Sequence, residues 1–427
     1  MRISTIQAFN SGVRGIQDNY SSVTRTQEQI SSGKRMLTPA DDPVASVRLL
    51  QLEQEASKLG QYRENITAAT NSLTQQEAVL NSVNNVLQRV REITLEAGNG
   101  ALDAGARQAL AQELVEREDE LYGLMNSQNA RGEYLFGGFR SDTQPFVRQP
   151  DGSYSYQGDE GQRSIQIGSS KMVAMNDNGK DLFVDVANVN RVSTTSDLVG
   201  PGPGETRTAR ISLAVVEDKG EFDARFYPLA NAGIDATERP QVRVTDDGSG
   251  YVIEAGDPLE ELAAGTLEAN PDGSYDIRFA GVAFKLDGDL MEGDTFTLSV
   301  GEGDQAERRN VLDSIRLLRE TLENGDDSTE GKLQRRDMLA VSLQNIDNAM
   351  NQVLGVQTSL GARLNVIESA QLENDEASLI NTQVQSGLAD LDYAEALSRL
   401  SMQSIVLQAA QQSFVKVSGL SLFNFLR

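Results

Sequence analysis

Residues 52–87 read LEQEASKLGQYRENITAATNSLTQQEAVLNSVNNVL, and the apolar residue that opens each seven in that run decides the fold. Leu52, Leu59, Ile66, Leu73, Leu80 and Leu87 recur at heptad spacing, which puts them on one seam of a helix built to lie along other helices. Leu49, Ala56, Tyr62, Ala69, Val83 and Val90 widen that side, Gln76 interrupts it, and Glu53, Glu55, Lys58, Arg63, Glu64 and Arg89 supply solvated positions. Upstream, in Thr38-Pro39-Ala40-Asp41-Asp42-Pro43, Asp42 is placed to accept hydrogen bonds from a first helical turn and Pro43 suits its first position. Downstream, Gly98-Asn99-Gly100 ends the helix. At about 1.5 Å per residue a helix from Pro43 to Ala97 reaches roughly 80 Å, longer than one compact domain uses, so it must pack along other rods.

The ten prolines all lie between Pro39 and Pro271, which leaves residues 44–144 and 272–427 free to run as long helices. In the first stretch a second helix is expected from about Arg107 to Gln128, with Leu110, Leu114, Leu121 and Met125 on one side. Toward the carboxyl end, Leu312, Ile315, Leu318 and Leu322 mark a short helix that Asn324-Gly325-Asp326-Asp327-Ser328 closes. A longer one follows, its seam stepping by threes and fours through Leu339, Leu343, Ile346, Met350, Val353, Val356, Leu360, Leu364 and Ile367. A last stripe holds Tyr393, Leu397, Leu400, Leu407 and Phe414, with Asp392 and Glu395 at capping-box spacing before it. Fifteen of the twenty-three aromatic residues fall between Tyr134 and Phe296, where Gly, Pro and Asp-Gly pairs are also concentrated, so that middle reads as β-rich. Asp151-Gly152, Asp247-Gly248 and Asp272-Gly273 are read as hairpin turns. Pro-Asp-Gly-Ser-Tyr occurs at 150–154 and again at 271–275, and Gly200-Pro201-Gly202-Pro203-Gly204 reads as a surface connection.

Composition narrows the function. The formal net charge of -25 argues against nonspecific affinity for nucleic acid or an anionic membrane surface, so the expected partners are proteins. No apolar run reaches the roughly 18–20 residues of a membrane span, and the opening residues lack a general secretory signal, so a soluble chain exported by another route is expected. Neither cysteine nor histidine is present. Disulfides, thiolate nucleophiles, histidine acid-base catalysis and most zinc sites are thereby excluded, and neither an enzyme nor a cofactor is expected.

The remaining candidates for chemistry have structural explanations. Asp41-Asp42 precede a helix and serve as capping residues rather than metal ligands. Asp287, Asp289, Glu292 and Asp294 fail the calcium-loop spacing, because Met291 and Glu292 stand at the next ligand and glycine positions, and read as a solvated turn. Gly301-Glu302-Gly303 lacks the lysine of a phosphate loop and reads as a linker. Arg89 and Arg91, beside Glu92, read as a solvated or interface face. Residues 1–40 and 390–427 carry enough apolar periodicity to form helices, but are too short to bury both faces as a lone pair.

At both ends the chain resembles the flagellin superfamily. The likeness runs through Gln29-Ile30-Ser31-Ser32-Gly33-Lys34-Arg35-Met36, Thr38 to Pro43 and Leu87-Gln88-Arg89-Val90-Arg91-Glu92-Ile93, then through Leu360-Gly361-Ala362-Arg363-Leu364, Asp392-Tyr393-Ala394-Glu395 and Leu420 to Leu426. Within the superfamily, the opening Met-Arg-Ile-Ser-Thr, the prolines around Asp41-Asp42, Asn129-Ala130-Arg131-Gly132-Glu133-Tyr134-Leu135-Phe136-Gly137-Gly138 and Tyr156-Gln157-Gly158-Asp159 resemble the hook-filament junction family more than filament flagellin, the alternative. The stretch from about 190 to 305 carries no specific likeness. The resemblance implies export through the flagellar type III apparatus with a flagellar export chaperone, a secreted location between hook and filament, and assembly with copies of itself, with the hook-side junction protein (hook-associated protein 1) and with flagellin.

The expected architecture is α+β and flagellin-like: a long helical coiled-coil rod of residues 41–140 and 306–387, an inserted β-rich outer domain of 141–305 with a possible subdivision near 190–205, and terminal polymerisation helices at 1–40 and 388–427 that pair only in the polymer. Asp42, Pro43 and Asp392 are the expected caps. Polymerisation or rod packing is assigned to Ile30, Leu52, Leu59, Ile66, Leu73, Leu80, Leu87, Leu343, Ile346, Met350, Val353, Val356, Leu360, Leu364, Ile367, Tyr393, Leu397, Leu400, Leu407 and Phe414.

Overall fold

The computed structural model describes residues 2–100, 102–200, 207–231, 239–245, 248–300, 306–325 and 327–423. The Gly-Pro connection after Gly200, Gly301-Glu302-Gly303, Asp247 of one expected turn, Asp326 and the closing residues 424–427 lie outside them. Three helices open the chain, α1 (Arg2–Ser32), α2 (Pro43–Ala97) and α3 (Ala104–Met125). The middle holds β1 (Phe146–Arg148), β2 (Tyr154–Tyr156), β3 (Ser164–Gln166), β4 (Met172–Ala174), a π-helical turn at Lys180–Val184, β5 (Val186–Ala187), β6 (Val192–Asp197), β7 (Arg210–Ile211) and β8 (Val215–Val216). After α4 (Lys219–Asn231) come β9 (Gln241–Thr245), β10 (Gly250–Ala255), β11 (Glu260–Thr266), β12 (Tyr275–Phe279), β13 (Val282–Asp287), β14 (Thr295–Val300) and β15 (Arg308–Arg309). The chain closes on α5 (Val311–Asn324), α6 (Thr329–Ala389) and α7 (Tyr393–Phe423). The α+β reading, with helical ends around a β-rich middle, holds. No described helix is long and apolar enough to cross a membrane.

Two compact units result: Met1–Thr67 with Gln166–Lys171 and Glu368–Arg427, and Ala68–Ile165 with Met172–Ile367. In the helical part of the second unit, Leu73, Leu80, Val83, Leu87, Val90 and Ile93 of α2 are buried, as are Leu110, Leu114, Leu121 and Met125 of α3. α3 packs on α5, whose Leu312, Ile315, Leu318 and Leu322 are buried too. Each such side chain withdrawn from water contributes about 1.5–3 kcal/mol, so this apolar layer outweighs the surface ion pairs around it. α3 starts three residues before the expected Arg107 because Asp103 accepts the Ala106 N–H at 2.7 Å and caps it there. Arg89 and Arg91, read as a solvated or interface face, are both half-exposed and also tie helices together: Arg89 grips Glu113 of α3 with Nε and Nη2 at 2.6 and 3.0 Å, and Arg91 Nε reaches Asp347 of α6 at 2.7 Å. Gln76 is buried on the α2 seam, donating to the Leu135 carbonyl at 3.4 Å.

The β-rich middle is organised by local turn chemistry first. Both Pro-Asp-Gly-Ser-Tyr stretches close the same way. Asp151 Oδ1 accepts from Ser153 N and Oγ, and Asp272 Oδ1 accepts from Ser274 N and Oγ. The glycines stand at φ +83° and +81°, a left-handed geometry that favours glycine. The first turn joins β1 to β2 as a hairpin; the second does not, because β11 and β12 belong to different sheets, although an isolated Ala269–Tyr275 bridge and the Asn270–Ser274 hydrogen bonds link its ends. Asn126, just past α3, takes the place of a strand beside β1, accepting the Phe146 N–H at 3.0 Å and donating to the Phe146 carbonyl at 3.1 Å.

Farther out, antiparallel sheets ordered β11-β10-β9-β14-β6 and β12-β13-β7, with β8 also on β13, share one apolar core. Phe296 and Leu298 of β14, Val242 and Val244 of β9, Phe284 and Leu286 of β13, and Phe222 and Phe226 of α4 meet there. The two α4 rings stack at 4.8 Å, with the Arg191 guanidinium 4.3 Å from the Phe222 ring centre. The solvated-turn reading of the acidic cluster fails at two positions. Asp287 and Asp294 are buried: Asp287 takes Arg336 at 3.2 and 2.8 Å, and Asp294 takes Arg207 at 2.6 and 2.7 Å together with the Val199 and Met291 N–H groups. Arginines distant in sequence thus neutralise charge that looked local. Asp289 and Glu292 stay exposed.

Candidate assembly surface

The first unit brings the two chain ends together, where a polymer-only pairing was expected. α7 lies antiparallel along α1: Phe9 meets Phe414 at 5.1 Å between ring centres, Thr26 Oγ1 donates to Gln403 Oε1 at 2.8 Å, and the Leu391 N–H donates to the Gly33 carbonyl at 3.0 Å. Gly33 ends α1 at φ +70°, donating to the Gln29 carbonyl, and a β-carbon there would come within 3.0 Å of the Tyr393 hydroxyl. Lys34 bridges to Asp390, so the turn after α1 and the turn before α7 are laced together. Asp392 Oδ1 caps α7 by accepting the Ala394 and Glu395 N–H groups; the return half of a capping box is missing, because Glu395 turns to Arg399 at 2.6 Å instead. Asp42 Oδ1 accepts the Ala45 N–H at 3.0 Å at the start of α2, where Pro43 is the first helical residue.

The α7 stripe divides. Ala396 is buried and Leu400, Gln403, Leu407, Ala410 and Phe414 are half-buried, at steps of four and three, on the face turned to α1. Tyr393 and Leu397 stand outside that face, 52% and 54% exposed. With Met402, Ile405, Val406 and Val415 they give α7 apolar side chains toward solvent as well. A helix apolar on both sides, with three charged residues in 31, belongs in an interior. Met402, Ile405, Val406 and Val415 escaped the sequence reading, which followed the stripe of 393, 397, 400, 407 and 414; the near absence of charge along α7 was the available signal. Also in the first unit, a groove of about 680 Å³ is lined by Met36, Leu37, Pro39, Val47, Leu50 and Ala389, with Val47 and Leu50 exposed.

Of the other assigned positions, Leu52, Ile66, Leu73, Leu80 and Leu87 are buried, while Ile30 and Leu59 are half-buried. On α6, Ile346, Val353, Leu360 and Ile367 are buried and the intervening Leu343, Met350, Val356 and Leu364 half-buried, so one heptad position forms the core and the other its rim.

Asp41 does not cap α2; it shapes the turn before it. Hydrogen bonds from the Leu37 and Thr38 N–H groups and the Thr38 hydroxyl, with the Arg25 guanidinium 2.5 Å away, hold its carboxyl down to about 2. A depressed folded-state value stabilises above the unfolded value near 4 and fades as pH falls toward 2. Wild type should therefore exceed Asp41→Asn in stability at pH 6 and match it near pH 2; a gap that persists in acid would refute this role.

In the second unit, the exit from α3 is a knot of glycines. Gly138 stands at φ +72°, and a β-carbon there would overlap the carboxylate and carbonyl oxygens of Asp159. Asp159 Oδ1 in turn accepts the Phe139 and Gly161 N–H groups at 2.8 and 2.7 Å, and Tyr156 donates to the Phe136 carbonyl at 2.9 Å. Two motifs twenty residues apart are thus interlocked. Among the described residues no three metal-ligating side chains come together.

Comparison with known proteins agrees with this geometry. Residues 3–141 match the bacterial flagellin N-terminal helical region and 343–426 its C-terminal helical region, together just over half the chain. The flagellar hook-associated protein 3 of Escherichia coli (strain K12) is 23% identical over 425 residues, 99% of both chains. Flagellin E of Vibrio cholerae is 24% identical over 400 residues, 91% of this chain and 88% of its own. The crystal structure of the flagellar junction protein FlgL from Legionella pneumophila, 25% identical, superposes with a TM-score of 0.60 over 80% of this chain and all of that one. The chain belongs to the flagellin superfamily, in its hook-associated protein 3 branch.

Proposed function

We propose that this protein is the structural adapter between hook and filament in the bacterial flagellum, exported from the cell and assembled through its terminal helices. The single observation that carries the assembly reading is α7: one face lies on α1 of the same chain, while its flanks and back expose Leu397, Met402, Ile405, Val406 and Val415. Exposed apolar area of that kind marks an interaction surface. Full-length likeness to hook-associated protein 3 favours the junction over the filament itself. Within this reading, residues 1–40 and 388–427 are the polymerising ends, 41–140 with 306–387 the rod, and 141–305 the outer domain. Copies of the chain, the hook-side junction protein and flagellin are its neighbours, an export chaperone escorts it, and its role is mechanical rather than catalytic.

Labelled protein on intact flagella tests the proposal: micrographs should show a single band beside the hook. Label spread along the filament would replace the adapter by a filament flagellin.

A further inference from the structure

The outer sandwich closes its apolar core with its own residues, from Val192 to Leu298, and takes none from α2, α3, α5 or α6. Its hydrogen bonds and ion pairs to α6 gather in one charged cluster. Arg336 of α6 grips Asp287 of β13 with Nη1 and Nη2 at 3.2 and 2.8 Å and its neighbour Asp337 with Nε and Nη2 at 3.1 and 2.9 Å; Arg210 of β7 reaches Asp337 at 2.6 Å and Asp287 at 3.6 Å. Asp272, in the second Pro-Asp-Gly-Ser-Tyr turn, lies 3.6 Å from Arg336. Beside this cluster a groove of about 460 Å³, lined by Val215, Ala283 and Phe284 with Ala340 and Gln344, leaves the two surfaces incompletely packed. The chain enters and leaves the sandwich through a narrow neck. There β5 pairs with β15, and Asn345 of α6 holds Val189 N–H and Asn188 at 2.9 and 3.0 Å.

We propose that the sandwich is a hinged body, with its pivot at the β5–β15 neck and its orientation set by the Arg210–Asp287–Arg336–Asp337 latch. An apolar interface loses contact area in proportion to any separation, whereas a cluster of four alternating charges has one good geometry and little between made and broken. Removing Arg336 leaves the buried carboxylates of Asp287 and Asp337 to share the single Arg210 cation, a surplus of negative charge that drives the latch open without disturbing the sandwich core. The neck, held by backbone pairing and the Asn345 amide, then serves as the pivot.

The absence of cysteine allows spin labels on Glu268→Cys and Asn351→Cys in the full chain, one at an exposed position of the outer domain and one at an exposed position of α6. Electron resonance should give one narrow distance distribution in the otherwise native protein. Arg336→Ala should broaden it about twofold or more, with Val242, Val244 and Leu298 amides still protected from hydrogen exchange. The charge-swapped Arg336→Asp/Asp287→Arg chain should narrow it again. An unchanged width in Arg336→Ala overturns the proposal, and so does a width that the swap fails to restore. Loss of sandwich protection along with the latch overturns it as well, because the core would then depend on α6.

Discussion

Ile405→Asp is expected to abolish incorporation into flagella while leaving the isolated chain as stable as wild type. Ile405 is 59% exposed on the outer face of α7, so within one molecule the change is a surface substitution, usually within about 0.5 kcal/mol of neutral. In an assembly that covers this face, the same change forfeits about 1.5–3 kcal/mol of apolar burial per contact and desolvates a carboxylate at several more. Repeated in every subunit, that loss outweighs the gain from any rim ion pair. Leu407→Asp supplies the contrast. It faces α1 half-buried, so the carboxylate should also loosen the α1–α7 pair and make both ends protease-sensitive. Normal motility with Ile405→Asp, measured by swimming and by labelled-band counts, would remove the outer face of α7 from the assembly surface.

Gly138→Ala should have the largest effect on the second unit, a loss of about 3–5 kcal/mol of unfolding free energy. The left-handed backbone accounts for about 1–2 kcal/mol of that. The rest follows because the new β-carbon displaces Asp159, which holds the Phe139 and Gly161 N–H groups. Gly132→Ala is the control: its φ is +79° but nothing lies within 4 Å of its would-be β-carbon, so only the backbone cost of about 1–2 kcal/mol applies. Equal losses in the two variants, by chemical denaturation, would show that crowding at Asp159 contributes nothing.

Sequence periodicity revealed the rods because heptad spacing is a local signal that survives into packing: the run from Leu73 to Leu87 is buried throughout at seven-residue steps. Turn chemistry was equally local, and Asp151 and Asp272 make identical bonds although one closes a hairpin and the other links two sheets. What escaped detection depends on distant partners. Nothing near Asp287 or Asp294 in sequence announces Arg336 or Arg207, so the cluster looked solvated. α4 was hidden by Pro228 in its last turns and by aromatic residues that read as strand, although Phe222 and Phe226 at four-residue spacing share one buried face. On α7 a spacing of seven fitted a single seam, and only the paired α1 shows which side of it is left open. The Ala280-Gly281 turn between β12 and β13, at φ +47° and +75°, was likewise missed, for want of the Asn-Gly or Asp-Gly signature.

Asn126 bears on crowding. A chain that gathers in many copies at one place risks zippering through bare strand edges, a route to disordered aggregates that competes with ordered stacking. By engaging the outward amide and carbonyl of Phe146 with a side chain, this residue plugs such an edge at β1 from within, so that part of the hairpin offers newcomers no ladder to extend.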